Sequence, residues 1–143
     1  MKRACFVVAI ALILAGVCFA QTPGQVEVVA EVALTNQTGT TVGTLYTPEE
    51  TGMFRVNFYV QCTKGDPNGA GLNPMLTWTD DNGKEVVFYP TIPDGSPGPP
   101  ASFLSVIKAI AGKPLVWRVT LGNNDTSKYE VYIALERIGP KVQ

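Results

Sequence analysis

"YTPEETGMFRVNFYVQC", residues 46–62, is the stretch on which the fold turns. From Phe54 onward every second residue is apolar: Phe54, Val56, Phe58, Val60 and Cys62. Between them stand Arg55, Asn57, Tyr59 and Gln61. A helix brings residues three or four apart onto one face, whereas strict alternation puts every second side chain on one side of an extended strand. The segment therefore reads as a strand with a dry face and a wet one. The dry phase, with Cys62, belongs in a core. The wet phase raises the functional question of what Arg55, Asn57 and Tyr59 meet.

The same period of two runs through most of the chain. "VEVVAEVAL" sets Val26, Val28, Ala30, Val32 and Leu34 against Glu27 and Glu31. "MLTWTDDNGKEVVFY" reads as a hairpin, with Asn82-Gly83 supplying the positive φ angles of a tight primed turn. "KPLVWRVTL" puts Leu115, Trp117, Val119 and Leu121 on one phase, opposite Val116, Arg118 and Thr120. "KYEVYIALERI" sets Tyr129, Val131, Ile133 and Leu135 against Glu130, Tyr132, Ala134 and Glu136. Gly and Pro gather in the breaks, "TKGDPNGAGLNP", "PTIPDGSPGPP" and "GNNDTS". "SFLSVIKAIAG", residues 102–112, is apolar on both phases. It reads as a strand covered on both sides, the second cover being another subunit, with a helix as the alternative. Short strands at regular spacing, with no βαβ alternation and no repeat, predict an all-β antiparallel sandwich of jelly-roll type.

The N-terminus is an address. Lys2 and Arg3 precede an apolar run, and "CFA" predicts a signal peptide over residues 1–20, cut after Ala20. A retained anchor is the competing reading, but the run ends in polar "QTPGQ" without a basic flank. A short tail (21–25), one domain (26–138) and a C-terminal tail (139–143) complete the expected organisation. The protein is thus expected to be secreted, extracellular or periplasmic, with no membrane attachment after cleavage. Cutting there removes two of the eleven basic residues and none of the twelve acidic ones, so the exported chain carries about three net negative charges. With no basic run, nucleic acid is not an expected partner. Cys5 and Cys18 leave with the leader, and Cys62 alone cannot form an internal disulfide.

The available chemistry is narrow. There is no His in the chain, which removes the usual general base, zinc ligand and nucleophile partner. Without one, Cys62 reads as a small buried hydrophobe. The carboxylate pairs open to glycoside chemistry are Glu27 with Glu31, Glu130 with Glu136, and Glu49-Glu50; all read as solvated or edge-protecting groups. No enzymatic activity and no cofactor are expected. "GDPNGAG" and "DDNG" resemble calcium loops only in composition, with Asp66, Asn68, Asp80 and Asp81 as weak candidate ligands. Asn36-Gln37-Thr38 and Asn124-Asp125-Thr126 fit the N-glycosylation pattern. Trp78 and Trp117 fall on apolar phases and are expected in the core. Arg55, Asn57, Tyr59, Tyr89, Arg118 and Tyr132 fall on wet phases and make the candidate interface or ligand face.

The opening stretch resembles the signature strand of the tumour-necrosis-factor-like jelly rolls, which include the globular heads of complement and collagen-tailed proteins. Tyr46, Pro48, Gly52, Phe54, Val56 and Phe58 carry the likeness. "SFLSVIKAIAGKPLVWRV" and "YEVYIALERI" are similar to that family's later strands, so the resemblance spans about residues 42–138, although Lys113-Pro114 stands where the family has Asp. What it implies is a non-enzymatic, trimeric binding or structural module, with Arg55, Tyr59 and Tyr132 between subunits. The alternative is a carbohydrate-binding module or lectin of the same class, with a protein or glycan ligand and a loop calcium.

Overall fold

The computed structural model describes residues 26–66, 71–89, 100–122 and 125–139. The leader, the 21–25 segment, Asn68, Asn124, most of the Pro-rich 90–100 loop and the last four residues lie outside the described residues. Alternation becomes eight strands: β1 (Glu27–Gln37), β2 (Thr41–Tyr46), β3 (Gly52–Lys64), β4 (Leu72–Thr79), β5 (Glu85–Phe88), β6 (Ala101–Ala109), β7 (Leu115–Leu121) and β8 (Lys128–Ile138). β1 pairs with β8, β2 with β7, β3 with β6 and β4 with β5, all antiparallel. The chain is in effect one long hairpin rolled up on itself. Two further pairings, β3 with β8 and β4 with β7, close the roll into sheets ordered β1-β8-β3-β6 and β2-β7-β4-β5. That is the jelly roll that the alternation predicts.

Both sheets turn their apolar phase inward. Phe54, Val56, Phe58, Val60 and Cys62 of β3 are buried, and so are Tyr129, Val131, Ile133 and Leu135 of β8. Leu72 and Leu76 on β4, and Leu115, Trp117 and Val119 on β7, meet them from the second sheet. Trp78 packs partly buried against the same core. The signature pattern in the opening stretch has a local cause. The Tyr46 ring lies 5.9 Å from that of Phe54, and the buried Pro48 accepts a hydrogen bond from Gly112 N–H at 2.8 Å. The β2–β3 connection is thereby tied to the turn before β7.

Two expectations need correction. A bulge between Val28 and Ala30 breaks the β1 alternation, so Val29 faces the core while Val26 and Val28 are exposed. The same bulge turns Glu27 and Glu31 to opposite faces: Glu27 sits opposite the inward Arg137, and Glu31 opposite Ala134 on the outer side. The β4–β5 turn is not a two-residue primed turn. Gly83 N–H bonds Asp80 C=O and Asp80 N–H bonds Lys84 C=O, which encloses three residues with only Gly83 at positive φ (74°). This is a type I turn closed by a glycine bulge, the next commonest hairpin solution. Residues 101–109 form the expected strand, β6, and not the alternative helix, and among the described residues only their inner phase is covered.

Candidate functional site: the outer face of the first sheet

The outer face of β1-β8-β3-β6 collects four of the six wet-phase candidates. Register sets Arg55 between Glu136 and Val106, Asn57 between Ala134 and Leu104, and Tyr59 between Tyr132 and Ser102. β1 adds Glu31 beside Ala134 and Ala33 beside Tyr132. Most polar groups of this face are already paired with one another. Arg55 Nε binds Glu136 Oε2. The Tyr59 hydroxyl donates to Gln61 Oε1 at 2.6 Å, and the Tyr132 hydroxyl to Glu31 Oε1 at 3.2 Å. That hydrogen bond, with the negative charge of Glu31 behind it, holds the Tyr132 phenol above its ordinary pKa. At one end, Lys108 Nζ lies 2.7 Å from Asp81 Oδ2 and holds that carboxyl below its ordinary value.

Around these pairs the face is apolar and open. Leu104 is 64% exposed and Val106 54%, with Val28, Met53, Tyr132 and Ile138 also exposed. Isolated exposed hydrophobes are ordinary, but several on neighbouring strands of one sheet make a patch. Alternation explains its origin: among the described residues nothing covers the second apolar phase of β6.

The structure divides the remaining candidates. Arg118 lies on β7 in the second sheet, opposite Val42 and Met75, and Tyr89 lies just past β5 at that sheet's edge. Sequence phase told which side of its own strand each residue took, but sheet membership is set by long-range pairing.

The candidate metal ligands separate as well. Asp66 precedes β4 and Asp80 follows it, so they stand at opposite ends of that strand. Asp66 Oδ2 accepts from Thr126 N–H at 2.9 Å and Thr126 Oγ1 at 2.7 Å, while Asp80 Oδ1 accepts from the amides of Asn82 and Lys84 in its own turn. Sequence reading missed Asp125, whose Oδ1 accepts from Ser127 N–H beside the Asp66 contacts. Its Oδ2 is the buried side-chain oxygen without a partner among the described residues. No group of three or more metal-binding side chains forms among them.

The carboxylate pairs fare differently. Glu130 and Glu136 share a face but lie six residues apart on one strand, about 20 Å at extended rise. Glycoside chemistry needs roughly 5–9.5 Å. Glu49 and Glu50 join Glu27, Tyr46, Val29 and Arg137 around a cavity of about 120 Å³ at the end of the sandwich. Arg137, buried on the inward phase of β8, binds Glu50 Oε2 there at 2.7 Å. Ligand pockets run to about 300 Å³ and above, so this space suits a few waters rather than a sugar.

No protein-family model matches the chain, and no curated protein matches it. Among solved structures it is similar to the infectious bursal disease virus VP2 subviral particle, at 14% identity and a TM-score of 0.49. That likeness covers 93% of this chain and 38% of the VP2 chain, so the present chain spans well under half the length of VP2. It is also similar to the CBM22-1 xylan-binding domain of Paenibacillus barcinonensis Xyn10C, at 16% identity, 83% of each chain and a TM-score of 0.40. The jelly roll is read from strand order and pairing, not from these likenesses.

Proposed function

We propose that the protein is a secreted, non-enzymatic jelly-roll module that self-associates, as a trimer, and serves a structural or adhesive role. The observation that carries this reading is the outer face of the first sheet. It is apolar at Leu104, Val106, Met53, Tyr132 and Ile138, while Arg55 is paired with Glu136, Lys108 with Asp81, and Glu31 accepts from the Tyr132 hydroxyl. Covering such a face removes apolar surface from water while leaving its two ion pairs intact, which limits the penalty of burying charge. The threefold arrangement is what the tumour-necrosis-factor-like resemblance implies for Arg55, Tyr59 and Tyr132. A non-catalytic role agrees with a chain that has no His and in which Glu130 and Glu136 lie six residues apart on one strand.

Light scattering on the exported chain at tens of micromolar tests it. A mass of three chains or more is expected, and Tyr132→Lys should lower it; a strictly monomeric mass overturns the reading. The second reading is glycan binding at the directly opposed Tyr59 and Tyr132, whose rings are the aromatic surface this face offers. It requires a glycan-dependent change in tyrosine or tryptophan fluorescence that Tyr132→Ala abolishes.

A further inference from the structure

The first sheet ends at β6, and among the described residues no strand pairs with its outer edge. The sandwich has four edge strands, and the other three are blunted. β1 breaks register twice and carries Glu27 and Glu31. β2 has six residues and an irregularity between Thr44 and Tyr46. β5 has four residues and opens on Glu85. β6, by contrast, has nine residues in unbroken register with β3, and contains no Pro, Gly or acidic residue. Its one charge, Lys108, is held by Asp81. Long, regular, apolar edges offer unpaired N–H and C=O groups to another strand, and bulges, brevity and charge are the common defences against it.

The strand's own sequence indicates which strand would fit. Ala101-Ser-Phe-Leu-Ser-Val-Ile-Lys-Ala109 reads nearly alike from either end about Ser105. In an antiparallel pair of two copies centred there, Leu104 faces Val106 on the outer side and Phe103 faces Ile107 on the inner side. Ser102 faces Lys108, and Ala101 faces Ala109. Every apolar residue meets an apolar one, and no Lys108 meets its like, which opposed strand positions penalise. Moving the centre to Leu104 sets Phe103 against Ser105 and Ser102 against Val106. Moving it to Val106 sets Leu104 against Lys108. Only the Ser105 register is self-complementary.

We propose that β6 pairs antiparallel with β6 of a second copy about a twofold axis at Ser105, joining two four-stranded sheets into one of eight. The proposal rests on the reading that the domain self-associates, and adds an edge contact distinct from the face around Tyr59 and Tyr132. A threefold face and a twofold edge in one chain link trimers to one another.

Directly opposed Cα atoms in an antiparallel pair lie about 4.5–5.5 Å apart, inside the range a disulfide spans. The exported chain is therefore prepared as Leu104→Cys and as Val106→Cys, and the two are oxidised separately and mixed in equal amounts. The mixture should form covalent dimer several-fold faster than either variant alone, with the parent, whose Cys62 is buried, as the baseline. Equal rates in all three samples, or none above the parent, overturn the edge contact. Val106→Lys provides a second check on both contacts together, since Val106 lies on the apolar face and also opposes Leu104 in the pair: it should keep the parent's circular dichroism and lower the oligomeric mass. A variant that pairs as the parent does also overturns the proposal. An oligomeric mass without preferential crosslinking sinks the edge contact alone, whereas a monomeric mass sinks both.

Discussion

The Trp117 indole occupies the place where a side chain on Gly43 would stand. The two residues are register partners across β2 and β7, and a Cβ built on Gly43 would lie 3.0 Å from Trp117 Nε1 and 3.3 Å from Cε2. Trp117 is buried in the core, so its ring has little freedom to retreat. Gly43→Ala should therefore cost about 1–3 kcal/mol of overpacking. Reduced freedom of the unfolded chain offsets about 0.4–1 kcal/mol of that. A lower urea midpoint together with altered tryptophan emission is expected, and Gly43→Val should be worse.

Tyr129 is fully buried, and its hydroxyl donates to Gly39 C=O at 2.9 Å while lying 2.7 Å from Thr41 Oγ1. Tyr129→Phe leaves both partners short of a hydrogen bond and should cost about 1–3 kcal/mol. Burial raises the phenol's pKa, against a smaller lowering by Thr41. The folded state then holds this proton more tightly than the unfolded chain does. Its contribution is complete below the unfolded value near 10 and is lost as pH rises through the higher folded value. Thermal midpoints measured upward from about pH 9 should fall with pH, and less steeply in Tyr129→Phe.

At the far end of the sandwich Arg137 is, among the described residues, the one cation between three carboxylates. Glu50→Ala removes one hydrogen bond to it and leaves Glu27 and Glu49 near, so a loss of about 1 kcal/mol is expected. Arg137→Met leaves the three carboxylates facing each other and should cost more. Chemical denaturation in low and in molar salt checks the order. The gap between the two variants should narrow at 1 M, where screening reaches within about 3 Å.

The Asp66 carboxylate accepts from the amide and hydroxyl of Thr126, and the Asp125 carboxylate from the amide of Ser127. Calcium takes about six to eight oxygens, and the described side chains bring only two carboxylates to this turn. Calorimetry should give the same melting temperature in millimolar calcium and in chelator, and Asp66→Ala should lower it equally in both. A calcium-dependent rise in the parent that Asp66→Ala abolishes would show that the loop holds the ion.

Local pattern carried the strands well. β3 buries the five residues its alternation assigns inward, and the two apolar phases noted in β6 fall on opposite faces, Phe103 and Ile107 in, Leu104 and Val106 out. What failed turned on the detailed register or sheet of a partner strand. The β1 bulge is a property of its pairing with β8, so Val28 and Glu27 took faces that no single-strand count could assign. Arg118 and Tyr89 shared a phase with Arg55 and Tyr59 but not a sheet. Arg137 was within reach: it continues the inward phase of Tyr129, Val131, Ile133 and Leu135, and that extension alone marks a buried arginine needing an acid.

Cys62 ends the inward phase of β3, buried opposite Tyr129, where the register with β8 slips before Lys64. In a chain cut after Ala20 it is the only thiol. A reagent in solution can reach it only when β3 parts from its neighbours, so labelling speed follows the population of opened molecules whenever closing outruns the reagent. The protein thus carries a stopwatch in its own core. Each substitution above can be timed against it, and assembly should make it run slower.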